Sequence, residues 1–257
     1  SGSFNNQEGE KVYPVTFQTT VNEKVKTDAG EYDTSIVTVQ SDYLTDNGLK
    51  ELKINFSTDD ARLPVEIRFR TSKGEFRAQL ATVQDLEPQA DPLPTPSPVK
   101  TPKPTPDPTP TPRGYIDNQP LADDLSFDLG ETLEYKLSSA NQPVATFVLQ
   151  ARERKLVDGK DSLLLTGTVT EVFAANGLFS LNDNIKAQVS PESLGPRRLE
   201  IAFNGALSSL NQTVVFDDRT SLITFKGAQQ IEGPVGTHSI LSLAYAIRSF
   251  NLKPSKD

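Results

Sequence analysis

Catalysis by histidine has one candidate in this chain, His238, the single histidine among 257 residues. An imidazole exchanges protons near neutral pH, and Ser239 and Ser242 lie close enough in sequence to act with it. Neither the Gly-x-Ser-x-Gly elbow of a nucleophilic serine nor an orienting acid accompanies them. His238 also falls at a predicted helix start, where the dipole disfavours an imidazolium, so a capping or packing role is expected. With one histidine and no cysteine, disulfides, thiolate catalysis and cysteine-ligated metal are excluded. Carboxylate chemistry remains. Asp59-Asp60 ahead of Arg62, Asp217-Asp218 ahead of Arg219 and the cluster Asn182-Asp183-Asn184 are its candidates, since paired carboxylates move protons or hold calcium. Neighbours on a strand point to opposite faces, however, and acids in turns accept local backbone hydrogen bonds. All three are therefore expected to build turns. Phosphate loops and dinucleotide fingerprints are absent. No catalytic residue, metal ligand or cofactor is assigned, and the chain is not expected to be an enzyme.

The elements that position these residues are mostly strands. In the first segment Tyr13, Val15 and Phe17 share a parity, as do Leu52, Ile54 and Phe56, then Leu63, Val65, Ile67 and Phe69, then Phe76, Ala78 and Leu80. Period-two alternation of this kind marks half-buried strands. Asp28-Ala29-Gly30-Glu31, Asp46-Asn47-Gly48 and Ser72-Lys73-Gly74-Glu75 are the predicted turns, and about six strands are expected in 11–84. The second segment repeats the pattern with Leu133, Tyr135 and Leu137, then Ala145, Phe147 and Leu149, then Leu163, Leu165, Val169 and Phe173. Val157-Asp158-Gly159-Lys160 reads as a hairpin, and about seven strands are expected in 127–227. The period then changes to i, i+3, i+4, i+7 at Ile240, Leu243, Ala244 and Ile247, which predicts a helix over 238–251 with Thr237 or Ser239 as its N-cap.

Between the segments lies a different composition. Eleven prolines fall in residues 88–112, largely as Thr-Pro repeats, which predicts a semi-rigid polyproline II spacer of about 75 Å at full extension. The partition is thus a β-meander segment at 1–84, a Pro/Thr-rich linker at 85–126 and a β segment ending in a helix at 127–257. Residues 84–124 carry seven acidic and three basic groups, half of the net charge of -8. That acidity opposes nucleic-acid binding, and no apolar run approaches the length of a membrane helix. Spacers rich in Thr and Pro are commonest in exported and surface proteins. The fold class expected is mainly β, an antiparallel curved sheet or half-barrel built from both segments with one helix near the C-terminus. The segments are expected to pack on one another as complementary halves.

The aromatic load is 13 Phe and 6 Tyr with no Trp. Phe17, Tyr135, Phe147 and Phe203 sit on inward parities, and a curved sheet that leaves them around a hollow would take an apolar ligand. They are the ligand-lining candidates; a core filled by the same residues is the alternative.

Certain phrases carry a resemblance. Phe127-Asp-Leu-Gly-Glu131-Thr-Leu-Glu-Tyr135 and Leu241-Ser-Leu-Ala-Tyr245-Ala-Ile-Arg248 in the second segment, with Val25-Lys-Thr-Asp-Ala-Gly30-Glu-Tyr32 and Phe56-Ser-Thr-Asp-Asp60-Ala-Arg62-Leu-Pro64-Val65 in the first, resemble a bacterial exported family, domain of unknown function 3108. The resemblance implies an exported, periplasmic or cell-surface, β-rich envelope protein without an assigned activity, and it supplies no catalytic residues. The order is swapped: a tail-like half precedes the linker and a head-like half follows it, as in a tandem protein or a permuted single domain. The function expected is a non-catalytic envelope protein that binds an apolar small molecule or a protein partner. A structural scaffold module comes next, and a carboxylate-dependent hydrolase last.

Overall fold

The computed structural model describes residues 2–5, 12–86, 115–173, 178–217, 219–225, 229–234 and 236–249. The Pro/Thr repeats at 88–112, Asp218 and the chain beyond 249 lie outside the described residues. Six strands precede the repeats: β1 (Gly2–Asn5), β2 (Val12–Thr27), β3 (Gly30–Gln40), β4 (Lys50–Ser57), β5 (Pro64–Thr71) and β6 (Gly74–Asp85). Eight follow them: β7 (Glu131–Ser139), β8 (Gln142–Val157), β9 (Lys160–Val172), β10 (Asn184–Val189), β11 (Pro196–Ala202), β12 (Gln212–Asp217), β13 (Leu222–Phe225) and β14 (Gln230–Glu232). Two helices, α1 (Asp42–Asp46) and α2 (Ile240–Ser249), and a 3-10 turn at Gly205–Leu210 complete the described elements. The sequence order of the strands is also their order in space, so all fourteen form one open, curved antiparallel meander.

The two segments join edge to edge. β6 pairs with β7 from Phe76 opposite Ser139 to Asp85 opposite Glu131, and Leu86 N donates to Gly130 O at 3.1 Å as the last rung. The strands on either side of the long linker therefore face one another directly. Residues 115–129 return along the folded body, where Leu121, Leu125 and Leu129 pack against the core.

Most predicted turns are where alternation placed them. Asp158 and Gly159 both adopt positive φ, 51° and 74°, the mirror-image turn that suits the right-handed twist of a hairpin. Asp46-Asn47-Gly48 is different. It ends α1 rather than joining two strands: Leu49 N donates to Leu44 O at 2.8 Å, Gly48 N to Thr45 O at 3.0 Å, and Gly48 takes φ 74°, a glycine-terminated helix end. Leu44 is buried, and burial of one apolar side chain holds this single turn against the strand propensity around it.

Three apolar clusters line the sheet, and α2 joins two of them. Leu241, Tyr245 and Ala246 pack with Leu163, Leu165, Val189 and Leu199 of the later strands. Leu243 and Ile247 pack with Val15, Val37, Ile54 and Phe56 of the early ones. The third cluster spans the β6–β7 junction through Val65, Phe76, Leu80, Leu133, Tyr135 and Val169. A bulge in β2 between Thr19 and Asn22 shifts its parity, so Val15 belongs to the helix-side cluster and Val25 to the junction cluster. The helical stripe read from sequence is only half right. Ile240 is exposed and Leu241, Tyr245 and Ala246 are buried, because a helix wedged between two clusters is covered on most of its circumference.

Candidate functional site

Three of the acids that sequence singled out, Asp59, Asp183 and Asp217, are engaged by turns and connections. Asp59 accepts from Ser57 Oγ at 2.7 Å and Arg62 N at 3.2 Å. Asp217 accepts from Arg219 N at 2.9 Å, and that bond, with help from Thr220, holds its carboxyl below the usual range. Asp183 is buried and accepts from Ser180 N at 2.8 Å and Asn204 N at 2.6 Å, which ties the β9–β10 and β11–β12 connections together. Among the described residues no three His, Cys, Asp or Glu side chains are grouped to hold a metal ion.

His238 precedes α2, and the serines beside it form the cap. Ser239 Oγ accepts from Ser242 N at 3.2 Å while Ser242 Oγ accepts from Ser239 N at 2.9 Å, a reciprocal capping box with serine in the place of the usual Glu. Ser239 is thus the N-cap. Ser242 Oγ lies 3.4 Å from His238 Nδ1, and among the described residues no carboxylate is hydrogen-bonded to the ring. Burial pulls the imidazole below its ordinary pKa, opposed by a backbone hydrogen bond at Leu194. The sign is that of a base kept neutral by folding: its contribution is full above about pH 6.5, and protonation of the unfolded chain removes it as pH falls through the folded value. Thermal melting between pH 8 and pH 5 is expected to decline more steeply for the unmodified chain than for His238→Gln.

The most heavily constrained group is Arg248, near the end of α2 and 1% exposed. Its Nη1 donates to Glu131 Oε1 at 2.6 Å and its Nη2 to Glu131 Oε2 at 2.8 Å, the two-pronged geometry that suits a guanidinium. Nη2 also donates to Ala61 O at 2.9 Å and Ser126 O at 2.8 Å. The Arg248 carbonyl in turn accepts from Arg62 Nη1 at 3.3 Å and Ser126 Oγ at 3.0 Å. Burial is the largest single influence and opposes the charge, yet the Glu131 hydrogen bonds and charge, with Tyr245 and Tyr135, raise the Arg248 pKa overall. Phe127 and Tyr245 flank it, with the guanidinium carbon 5.4 Å and 5.8 Å from their ring centres. Nearby, Tyr135 Oη donates to Pro64 O at 2.8 Å. Ala61, Arg62 and Pro64 stand before the Pro/Thr repeats; Ser126, Glu131, Tyr135 and Arg248 stand after them. One buried ionic centre therefore fastens both halves to α2.

The four aromatic candidates do not meet in one place. Tyr135 and Phe147 stack with centroids 4.9 Å apart and planes 11° from parallel, and Tyr135 is fully buried. Phe17 packs against the helix-side cluster instead. Phe203 is half-buried at the end of β11, and it is in none of the three clusters.

The phrases that carried the family resemblance are thus the ones that converge on Arg248, Glu131, Tyr135 and the Asp59–Pro64 turn. Residues 1–81 match the model of a protein family of unknown function, DUF3108. The DUF3108 match covers β1 to most of β6 and includes the Asp59–Pro64 turn. Searches of curated proteins and of solved structures found no match. Within the chain, the matched segment receives α2 on one side and β7 on the other. Sequence reasoning quoted Glu131 and Arg248 only as parts of phrases. The available signal was a charged residue on the buried side of a helix, three residues after Tyr245 and seven after Leu241.

Proposed function

We propose that this is a non-catalytic, exported cell-envelope module that binds a protein partner on its sheet. The observation that carries the reading is the engagement in the fold of most candidate groups among the described residues. Both carboxylate oxygens of Glu131 are taken by Arg248, Asp59, Asp183 and Asp217 are taken by backbone and hydroxyl donors, and the serines near His238 cap a helix. A general acid or base must instead reach a substrate proton. The Thr/Pro spacer and the family resemblance support export and the envelope setting.

The apolar-carrier reading is set against the partner reading by the way α2 and the Tyr135–Phe147 stack fill the sheet's inner side. A titration with an environment-sensitive fatty-acid probe at neutral pH separates the two. No saturable signal is expected up to high micromolar probe. Saturable binding that Phe147→Asp weakens without unfolding the chain would replace the protein partner with an acyl ligand.

A further inference from the structure

β8 is longer than its neighbour. Its ladder with β7 ends at Gln150 opposite Thr132, with one further bond from Gly130 N to Ala151 O at 2.7 Å, while its pairing with β9 continues to Val157. Residues Arg152–Val157 therefore present a strand edge on the β7 side that β7 does not cover. Such an edge is a template for another extended chain.

In this chain a short strap lies on it. Asn118 N donates to Arg154 O at 2.6 Å, and Arg154 N donates to Asn118 Oδ1 at 3.0 Å, so one residue satisfies both backbone groups of its opposite number. Arg154 Nη1 also donates to Pro120 O. The strap is pinned by Tyr115 Oη donating to Asp161 Oδ1 at 2.7 Å, and Asp161 is gripped by Arg154 through Nη2 at 2.7 Å and Nε at 3.2 Å. The seat is only partly closed, since Ile116 is 69% exposed and Leu156 45%. Charge matches across it: residues 115–124 hold Asp117, Asp123 and Asp124 and no basic group, whereas the edge begins Arg152-Glu153-Arg154-Lys155.

We propose that the basic edge Arg152–Val157 is a strand-addition site for an acidic, extended peptide of a partner protein, and that residues 115–120 occupy it in cis as an autoinhibitory strap. Backbone pairing gives such a site its affinity, and the arginines select the charge. Asn118 holds φ 57°, a left-handed conformation that Asn tolerates and proline cannot adopt, so Asn118→Pro, joined with Tyr115→Phe to remove the pin on Asp161, unseats the strap while leaving the edge intact. The proposal rests on the binding-module reading and names the surface and the partner class.

The probe is a fluorescein-labelled peptide with the sequence of residues 115–124, titrated by anisotropy into the full chain. The Tyr115→Phe, Asn118→Pro double variant is expected to bind it at least tenfold more tightly than the unmodified chain, which holds its own copy in place. Arg154→Ala added to that variant is expected to abolish binding, and raising salt from low to high is expected to weaken it. A double variant that keeps its circular dichroism and melting temperature but gains no affinity overturns the proposal, as does binding indifferent to Arg154→Ala. If the double variant does not fold, amide exchange in the unmodified chain decides: protection at Arg154 is expected, and exchange as fast as an open loop overturns the seated strap. Substrate turnover would overturn the non-catalytic reading without touching the edge, and failure of the peptide would overturn the edge alone.

Discussion

Glu131→Gln is expected to destabilise the chain by about 3–5 kcal/mol, the usual cost of leaving one member of a buried ion pair without its counter-charge. Arg248 is 1% exposed and would keep its bonds to Ala61 O and Ser126 O, but those carbonyls are already neutral acceptors and cannot replace a carboxylate. For a protein of this size the loss corresponds to a fall in melting temperature of roughly 10 °C. Arg248→Met is expected to cost as much, for the opposite reason: Glu131 would then be the buried, uncompensated charge, and the Ala61 and Ser126 carbonyls would lose a donor. The double variant Glu131→Leu, Arg248→Met is the informative one, because removing both charges removes the desolvation penalty of both. It is expected to melt above either single variant. Urea unfolding of the four proteins gives the coupling directly, and additive losses would show that the pair does not act as a unit. Because Arg248 touches Ala61 before the Pro/Thr repeats and Ser126 and Glu131 after them, the single variants should also loosen α2 from the early strands. Faster amide exchange in Leu243 to Ile247 reports that loosening.

Much of the β architecture is legible in the sequence because alternation is a local signal. Tyr135, Leu137, Ala145 and Phe147 reveal their parity within a few residues of themselves, and Asp158-Gly159 reveals a turn type by the positive φ that its residues tolerate. What was not legible is what depends on residues far apart. Glu131 and Arg248 are separated by more than a hundred residues, and no local pattern says that they meet; only the charge on the buried side of α2 hinted at a partner. Asp46-Asn47-Gly48 is the turn its residues announce, but a glycine that permits a hairpin also permits a helix end, and the burial of Leu44 decides that it closes α1. Phe17, Tyr135, Phe147 and Phe203 were grouped by parity alone. Parity assigns a face and not a position along a long meander, so Phe17 packs in the helix-side cluster, Tyr135 and Phe147 stack in the junction cluster, and Phe203, just past β11, is in none of the three.

Gly130→Ala is the second substitution expected to act strongly, although it adds only a methyl group. Gly130 sits at φ 96°, and a Cβ built there would lie 1.8 Å from Leu86 O and 3.0 Å from Leu86 C. The neighbour is backbone, not the tip of a flexible side chain, so the methyl cannot be accommodated by a rotamer change. Two bonds hold the approach in place: Leu86 N to Gly130 O at 3.1 Å and Gly130 N to Ala151 O at 2.7 Å. Relieving the clash must break the first, the last rung of the β6–β7 junction, or tilt the peptide that carries Glu131 toward Arg248. A left-handed backbone alone costs an L-residue about 1–2 kcal/mol, and loss of the rung adds about 1 kcal/mol. Any displacement of Glu131 adds part of the ion-pair loss, so a total above about 3 kcal/mol is expected. Gly159→Ala is the control, since Gly159 also has positive φ, 74°, but nothing lies within 4 Å of its added Cβ. It should show the backbone cost alone. Equal melting temperatures for the two variants would mean that the close approach of Gly130 to Leu86 is not what holds the two halves in register.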